Sequence, residues 1–389
     1  MPTIRPAAAA SAEDRQAAGP FRHLCLAIGI GLLGACADPP PIVIGLSGPF
    51  ANPAGATMVQ AAQLAIDEIN AAGGLRGRRL ELAAYDDHGN SDSAVAVAGT
   101  LRASTAVAVI GHVWSSTTLA AAPIYGSGQN PIAVVTPSSS APELTALGPH
   151  LFRACPTDLE HGRALADWAW AGLGIQRVAV LYFNDGYGRG IKGAFAATFE
   201  RRGGSIVGAF PFLDPGTDVA PYLDLVARDG QAQALVVAGS REEARIILEQ
   251  ARARGIALPV LGGDGLEGLE GDGPVGEGVF ISNAWLPTED QPRIQKFLST
   301  WRLRYPELPL PNQPAAASYD IVHLLAVAIR EVGTDRQRLR AAIAAVGQTT
   351  ASYEGVTGTI GFTDQGDLAG RSVGIAVVRG GRLERVVIR

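Results

Sequence analysis

Short apolar runs alternate with amphipathic stretches along almost the whole chain, and the alternation occurs in two successive series. Residues 41–46 form a β-rich run ending at the turn Ser47-Gly48-Pro49. Residues 58–69 then place Val59, Ala62, Leu64, Ala65, Ile66 and Ile69 at helical spacing and stop at Gly73-Gly74. Strand patterns follow at 80–85, 106–110 and 131–135, with helical ones at 93–104 and 116–125. Strands this continuously apolar belong to a parallel sheet covered on both faces. A second series begins after Cys155-Pro156-Thr157, with strands expected at 177–183, 205–210, 234–238, 259–261 and 278–281. Its helices are expected at 161–172, 191–202, 219–228 and 242–254. The remainder turns helical at 291–304, 316–332 and 336–346 and closes with strand patterns at 373–378 and 382–388.

The fold class implied is α/β, with two doubly wound α/β lobes. Late helices need a sheet to cover, and the first series is the one short of elements. The chain is therefore expected to make three crossovers, near residues 155, 285 and 358. That gives an N-terminal lobe of 42–154 plus 286–357 and a C-terminal lobe of 155–285 plus 358–389. A length of 389 residues, 47% of them hydrophobic, is ample for two cores. A net charge of −5 without a basic run excludes a nucleic-acid footprint.

At the N-terminus Arg5, Arg15 and Arg22 precede an apolar run at 24–33, about half the length of a membrane-spanning helix. Residues 1–35 read as a signal peptide ending in Leu33-Gly34-Ala35-Cys36, which resembles the bacterial lipobox. The resemblance implies cleavage before Cys36 and acylation of its thiol; the alternative is an ordinary leader with a chance cysteine. Residues 36–41, with Pro39-Pro40-Pro41, form a short stiff tether. Gly29-Ile30-Gly31-Leu32-Leu33-Gly34 matches the dinucleotide fingerprint only by accident, because no strand and helix flank it. Cys155 is the one cysteine of the mature body, so neither an internal disulfide nor a Cys-x-x-Cys metal site is available.

Ligands of open α/β sheets bind outside the carboxyl ends of the strands. Three loops there are rich in hydroxyls or acids: Gly111 to Thr118, Thr136 to Ser140, and Gly262-Gly263-Asp264-Gly265. Each has a plainer reading, since Ser116, Ser140 and Asp264 also sit where helix caps belong. Hydroxyls and helix dipoles on one lobe suit a carboxylate, and an acid on the other suits an ammonium. Tyr187, in the loop after the 177–183 strand, is either a lid aromatic or a turn residue packed on its own helix. Tyr85-Asp86-Asp87-His88 has the composition of a metal site but reads as solvated strand-end acids, and no His pair has zinc spacing. No phosphate-binding loop or nucleophile elbow is present, and no cofactor is implied.

These segments together resemble the periplasmic leucine/isoleucine/valine-binding protein family. The resemblance rests on Ser47-Gly48-Pro49, Ala71 to Gly77, Tyr85-Asp86-Asp87, Ile110-Gly111-His112 with Ser115-Ser116, Thr136 to Thr145, and Gly355 to Phe362 with Gly366-Asp367. It implies a type I periplasmic binding fold that closes on an amino acid or a related small acid or amide. Its carboxylate-binding serine falls on Ser115, and the segment that holds the ligand's α-groups falls on Ser138, Ser139 and Ser140. The acid facing the α-ammonium corresponds to Asp264, and the aromatic closing from the second lobe to Tyr187. Aromatics of the branched-chain pocket are replaced at Asn52-Pro53-Ala54, Ala316 and Ser240-Arg241, and a disulfide of some members by Gly89 and Trp114. Arg241 would favour a polar or acidic ligand if it points inward and is otherwise a solvated helix-start residue. The implied role is the lipid-anchored solute-binding component of an ABC importer, with a membrane permease as partner and no metal. Two other readings are a sensor lipoprotein signalling to a membrane partner, and a tethered hydrolase using Ser115 and His112.

Overall fold

Two sheets built on the same strand order organise the chain. The computed structural model describes residues 39–387 apart from 214, 215 and 217, so the leader at 1–35 and Cys36 lie outside the described residues. The first sheet contains β1 (Ile42–Gly48), β2 (Leu80–Asp86), β3 (Ala106–Ile110), β4 (Ala133–Thr136) and β5 (Leu151–Arg153). They run parallel in the order β2-β1-β3-β4-β5. Helices α1 (Met58–Ala71), α2 (Ser91–Ala103) and α3 (Ser115–Tyr125) connect the first four.

The second series is α4 (Asp158–Asp167), β6 (Arg177–Phe183), α5 (Gly186–Arg201), β7 (Ser205–Phe212), α6 (Ala220–Asp229), β8 (Ala234–Ala238), α7 (Arg241–Ala253), β9 (Val260–Gly262) and β10 (Phe280–Asn283). Its parallel strands lie in the order β7-β6-β8-β9-β10, the arrangement of the first sheet repeated. The chain continues through α8 (Pro292–Arg304), α9 (Gln313–Val332), α10 (Arg336–Ala345), β11 (Tyr353–Glu354), β12 (Thr359–Ile360), β13 (Gly374–Arg379) and β14 (Arg382–Val386). Strands β13 and β14 extend the second sheet antiparallel beyond β10, while β11 and β12 pair only with each other.

Burial explains the strand composition. Every residue of β3 and of β8 is buried, because helices cover both faces of these central strands. Around the first sheet, Ile321 and Leu325 of α9 pack with Ile44, Leu46 and Ile110. On its other face Ala98 of α2 and Tyr125 of α3 pack with Val109 and Val134. The second sheet is covered by α6 and α7 through Leu223 and Ile247, and on the opposite face by α4 and α5 through Leu165 and Phe195. Helix α8 sets Phe297 and Trp301 against Ala61 and Leu64 of α1. Among the described residues no helix is long and apolar enough to cross a membrane.

Two local expectations are corrected. The helix expected from 161 starts at Asp158, where Thr157 and Glu160 form a reciprocal capping box, and it changes to a π-turn at Trp168–Gly172. Ser140 is not a helix cap, because Pro142–Ala146 is a 3-10 turn preceded by Ala141. Arg153 holds the chain out of helix there, donating to the carbonyls of Ser140 and Ala141 at 3.0 Å each. It is itself paired with Asp367 at 2.6 Å.

Candidate functional site

In both sheets the strand order reverses beside the first strand of the series, between β1 and β3 and between β6 and β8. Loops diverge at such a switch point and leave a crevice at the carboxyl ends of the strands. All six residues expected to form the site fall on loops or first helical turns at those ends, in two groups.

The first group is hydroxyl-rich. Ser115 heads α3, one position earlier than the helix start expected from Ser116, and its Oγ accepts N–H bonds from Ser140 (3.2 Å) and Ala141 (3.1 Å). Those two amides would otherwise face a ligand. Ser139 is structural: its hydroxyl lies 2.6 Å from that of Thr118 and 3.1 Å from the carbonyls of His112 and Val113. Thr136 accepts the Ser139 N–H and donates to the His112 carbonyl at 2.7 Å. The Ser138 N–H lies 3.4 Å from the Thr136 hydroxyl, and its own hydroxyl makes no hydrogen bond among the described residues.

The second group is acidic. Tyr187 lies in the first turn of α5 rather than in a loop, placed there by Asp185, which caps the helix through the Gly188 N–H. Its hydroxyl donates to Asp264 Oδ1 at 3.0 Å and accepts from the Gly265 N–H at 2.8 Å. It is therefore not merely packing on its own helix. Asp264 is not a helix cap either, since a short 3-10 turn, Asp264–Leu266, starts at it.

Asp158, absent from the sequence expectations, joins the two groups. Its N–H donates to the Ser140 carbonyl at 2.9 Å, and its fully buried carboxylate has no hydrogen-bond partner on either oxygen. Burial holds the Asp158 carboxyl well above the usual carboxylate range, against the nearby Ser140 hydroxyl, and the charge of Asp264 adds to the rise. One turn on, buried His161 binds Ser282 through Nδ1 at 2.9 Å. Its Nε2 has no hydrogen-bond partner and faces Asp264 Oδ2 at 3.7 Å. Glu267, beside Asp264, accepts a hydrogen bond from Asn283 Nδ2, and its carboxyl is also pushed well up, first by burial and then by Asp264. The signal for Asp158 and His161 was legible as Thr157-x-x-Glu160, which fixes both in the first turn of α4. Nothing in the sequence linked Glu267 to Asn283.

Other expectations resolve locally. Arg241 does not reach the crevice; its guanidinium is bidentate on Asp272 at 2.9 and 2.5 Å. His112 makes no bond to Ser115: buried, it uses Nδ1 on Asp87 (2.5 Å) and Ser47 (3.1 Å), and Nε2 on Tyr125 (3.1 Å). Asp87 also accepts the Gly89 N–H, and Asp86 accepts those of Phe50 and His88, so the two carboxylates tie this loop to those after β1 and β3. Gly89 itself has φ +65°, and a Cβ there would lie 1.8 Å from the Trp114 ring. Gly89→Ala is expected to cost about 2 kcal/mol, from left-handed backbone plus overpacking, and to lower the melting temperature by several degrees in calorimetry. An unchanged melting temperature would show that the ring gives way freely.

A family model described as periplasmic binding protein matches residues 41–382. The Leu/Ile/Val-binding protein homolog 3 of Brucella melitensis is 27% identical over 86% of this chain and 90% of that one. A crystal structure of an ABC transporter substrate-binding protein from Desulfitobacterium hafniense, in complex with Leu, is 29% identical with a TM-score of 0.76, covering 89% of this chain and 100% of that one. The leucine binding protein of Thermotoga maritima gives a TM-score of 0.80 at 26% identity, over 89% and 98% of the two chains.

Proposed function

Because the chain belongs to the periplasmic binding protein family and has its type I fold, we propose that it is the substrate-binding component of an ABC importer for an amino acid, working by closure of two lobes without catalysis. The lobes are residues 42–154 with 286–357, and 155–285 with 358–389. This division is supported by the packing of α8 and α9 on α1 and by β13 and β14 joining the second sheet. A ligand touching both lobes stabilises the closed form by its differential affinity, and a membrane permease would read that form. Export follows from the family. Anchoring through Cys36 rests on residues 33–36.

The observation that carries the amino-acid reading is the pairing of opposite chemistries across one crevice. Amides at the head of 140–141, with Ser115 and Ser138, offer N–H and O–H donors to a carboxylate. Asp158, Asp264 and Tyr187 offer a carboxylate-lined socket to an ammonium. Ser115 gives up its two amide bonds to the incoming carboxylate or relays them to it. The same geometry disfavours the hydrolase reading, since His112 is wholly committed to Asp87, Ser47 and Tyr125.

The test is calorimetric titration of the protein with α-amino acids at pH 5.5 and 8. Burial holds the empty Asp158 carboxyl high, whereas a bound ammonium favours its ionised form. Binding therefore releases a proton, and affinity rises with pH until the empty site is itself ionised. Repeating the titration in buffers of different ionisation enthalpy counts that proton. Tight binding with no proton released, or affinity falling with pH, would remove Asp158 from the ammonium site. Failure of every α-amino acid to bind would overturn the reading.

A further inference from the structure

Folding gathers at one end of the first sheet a basic face that no single segment of the sequence carries. Residues 76–81, 102–106 and 330–340 hold eight arginines against three acids, Glu81, Glu331 and Asp335. The first two segments lie at the amino ends of β2 and β3, opposite the carboxyl ends where the proposed ligand site lies. Hydrogen bonds join the third segment to them. Arg76 donates to the carbonyls of Arg330 (3.2 Å) and Glu331 (3.1 Å). Arg336 donates to those of Arg102 (3.0 Å), Ser104 (2.8 Å) and Ala106 (2.7 Å).

This charge is not neutralised from within. Among the described residues none of the eight arginines pairs with a carboxylate, and Asp335 is occupied in capping α10 through the Arg338 N–H. Arg79, Arg330 and Arg338 are exposed, and their guanidiniums have no hydrogen-bond partner among the described residues. Burial, and then the charge of Arg102, weakens the hold of the Arg336 guanidinium on its proton.

The chain also enters the fold through this face. Arg78 donates to the carbonyls of Pro40 (2.6 Å) and Pro41 (3.0 Å), immediately before β1. Only Ala37 and Asp38 separate Pro39 from Cys36, a reach of at most about 11 Å for three peptide units. That is close to the Debye length of about 8–10 Å at physiological salt. A bilayer holding Cys36 therefore lies near enough for its surface charge to act on the arginines.

We infer that this arginine face lies on anionic phospholipid headgroups, with Arg79, Arg330 and Arg338 donating to lipid phosphates; the choice of a membrane takes the anchor at Cys36 from the reading above. Guanidinium forks match phosphate oxygens in pairs. The length of β1 puts about 20 Å between this face and the proposed ligand site, so the contact leaves that site free.

Co-sedimentation with vesicles tests it, using the full chain with Cys36→Ser so that no acyl chain contributes. Each basic residue near an anionic surface is worth a factor of about five. Combining Arg79→Glu, Arg330→Glu and Arg338→Glu is expected to lower partition at least about tenfold on vesicles of equal parts phosphatidylglycerol and phosphatidylcholine at low salt. Partition onto phosphatidylcholine alone should not change, because the leader is common to both proteins. Arg→Lys at the same three positions keeps the charge and should retain partition within about threefold. Equal partition of the unaltered and charge-reversed proteins onto the anionic vesicles overturns the inference. So does an equal loss in a control carrying Arg228→Glu, Arg252→Glu and Arg382→Glu in the C-terminal lobe, because net charge rather than this face would then govern binding. A difference that persists at about 1 M salt, where the Debye length is about 3 Å, overturns the electrostatic contact.

Discussion

Replacing Asp264 with alanine is expected to weaken amino-acid binding at least about a hundredfold while leaving the empty protein folded. Truncating one partner of a desolvated charge pair costs roughly 2–5 kcal/mol, and each 1.4 kcal/mol is a factor of ten. In the proposed site Asp264 would take the ammonium, because Tyr187 fixes its Oδ1 and leaves Oδ2 turned toward His161. In the empty protein the loss is small. Tyr187 keeps the Gly265 N–H as a partner, and removing Asp264 relieves the repulsion it exerts on Asp158 and Glu267. Binding and stability should therefore separate in this variant. Tyr187→Phe, which frees Asp264 without removing it, is expected to cost about tenfold, the value of one hydrogen bond to a charged group. Retention of affinity within threefold by Asp264→Ala, measured by titration calorimetry, would move the ammonium to Asp158 alone.

The residues of the proposed site were legible to different degrees, for physical reasons. Period-2 and period-3.6 patterns mark elements that bury a face, so the strands at 106–110 and 177–183 and the helices around 58–69 and 191–202 stand out in sequence. A strand of three residues such as Leu151–Arg153 has no room for a pattern, and it exists because β4 offers a template. Capping-box spacing alone does not place a helix start. Ser140 has that spacing, yet its backbone is held by Arg153 and Asp158, two partners distant in sequence or newly placed by the turn after it. Ser115, Tyr187 and Asp264 could be named because each follows a strand end. Their relation could not, because it depends on two sheets meeting. Asp158 escaped for the opposite reason: an acid after Thr157 looks like ordinary helix-start electrostatics. Only its burial with both oxygens unpartnered sets it apart.

Asp320→Ala is expected to give the largest loss of stability, about 4 kcal/mol, without touching the ligand site. Asp320 sits on α9, fully buried, and its carboxylate accepts the N–H groups of Val356 (2.8 Å) and Thr357 (2.7 Å) and the Thr357 hydroxyl (2.6 Å). These three bonds pin the 355–358 turn between β11 and β12, and the same turn offers its Val356 carbonyl to the Trp285 indole at 3.0 Å. Gly355 is required there, since a Cβ would lie 2.4 Å from the Asp320 carboxylate. Alanine would orphan three buried donors, each worth roughly 1–3 kcal/mol when left unpaired. Burial raises the Asp320 carboxyl to about 6, with the Thr357 and Val356 bonds acting against it. The native carboxyl thus binds its proton more tightly than the unfolded chain does, so this group makes the protein less stable as pH rises from about 4 to about 6. Asp320→Ala lacks that slope, and its deficit should be larger at pH 4.5 than at pH 7. Denaturant titration at the two pH values measures both quantities. A deficit below about 1 kcal/mol at pH 7 would mean that water or a shifted side chain takes over the three donors, and that the turn is not held by Asp320.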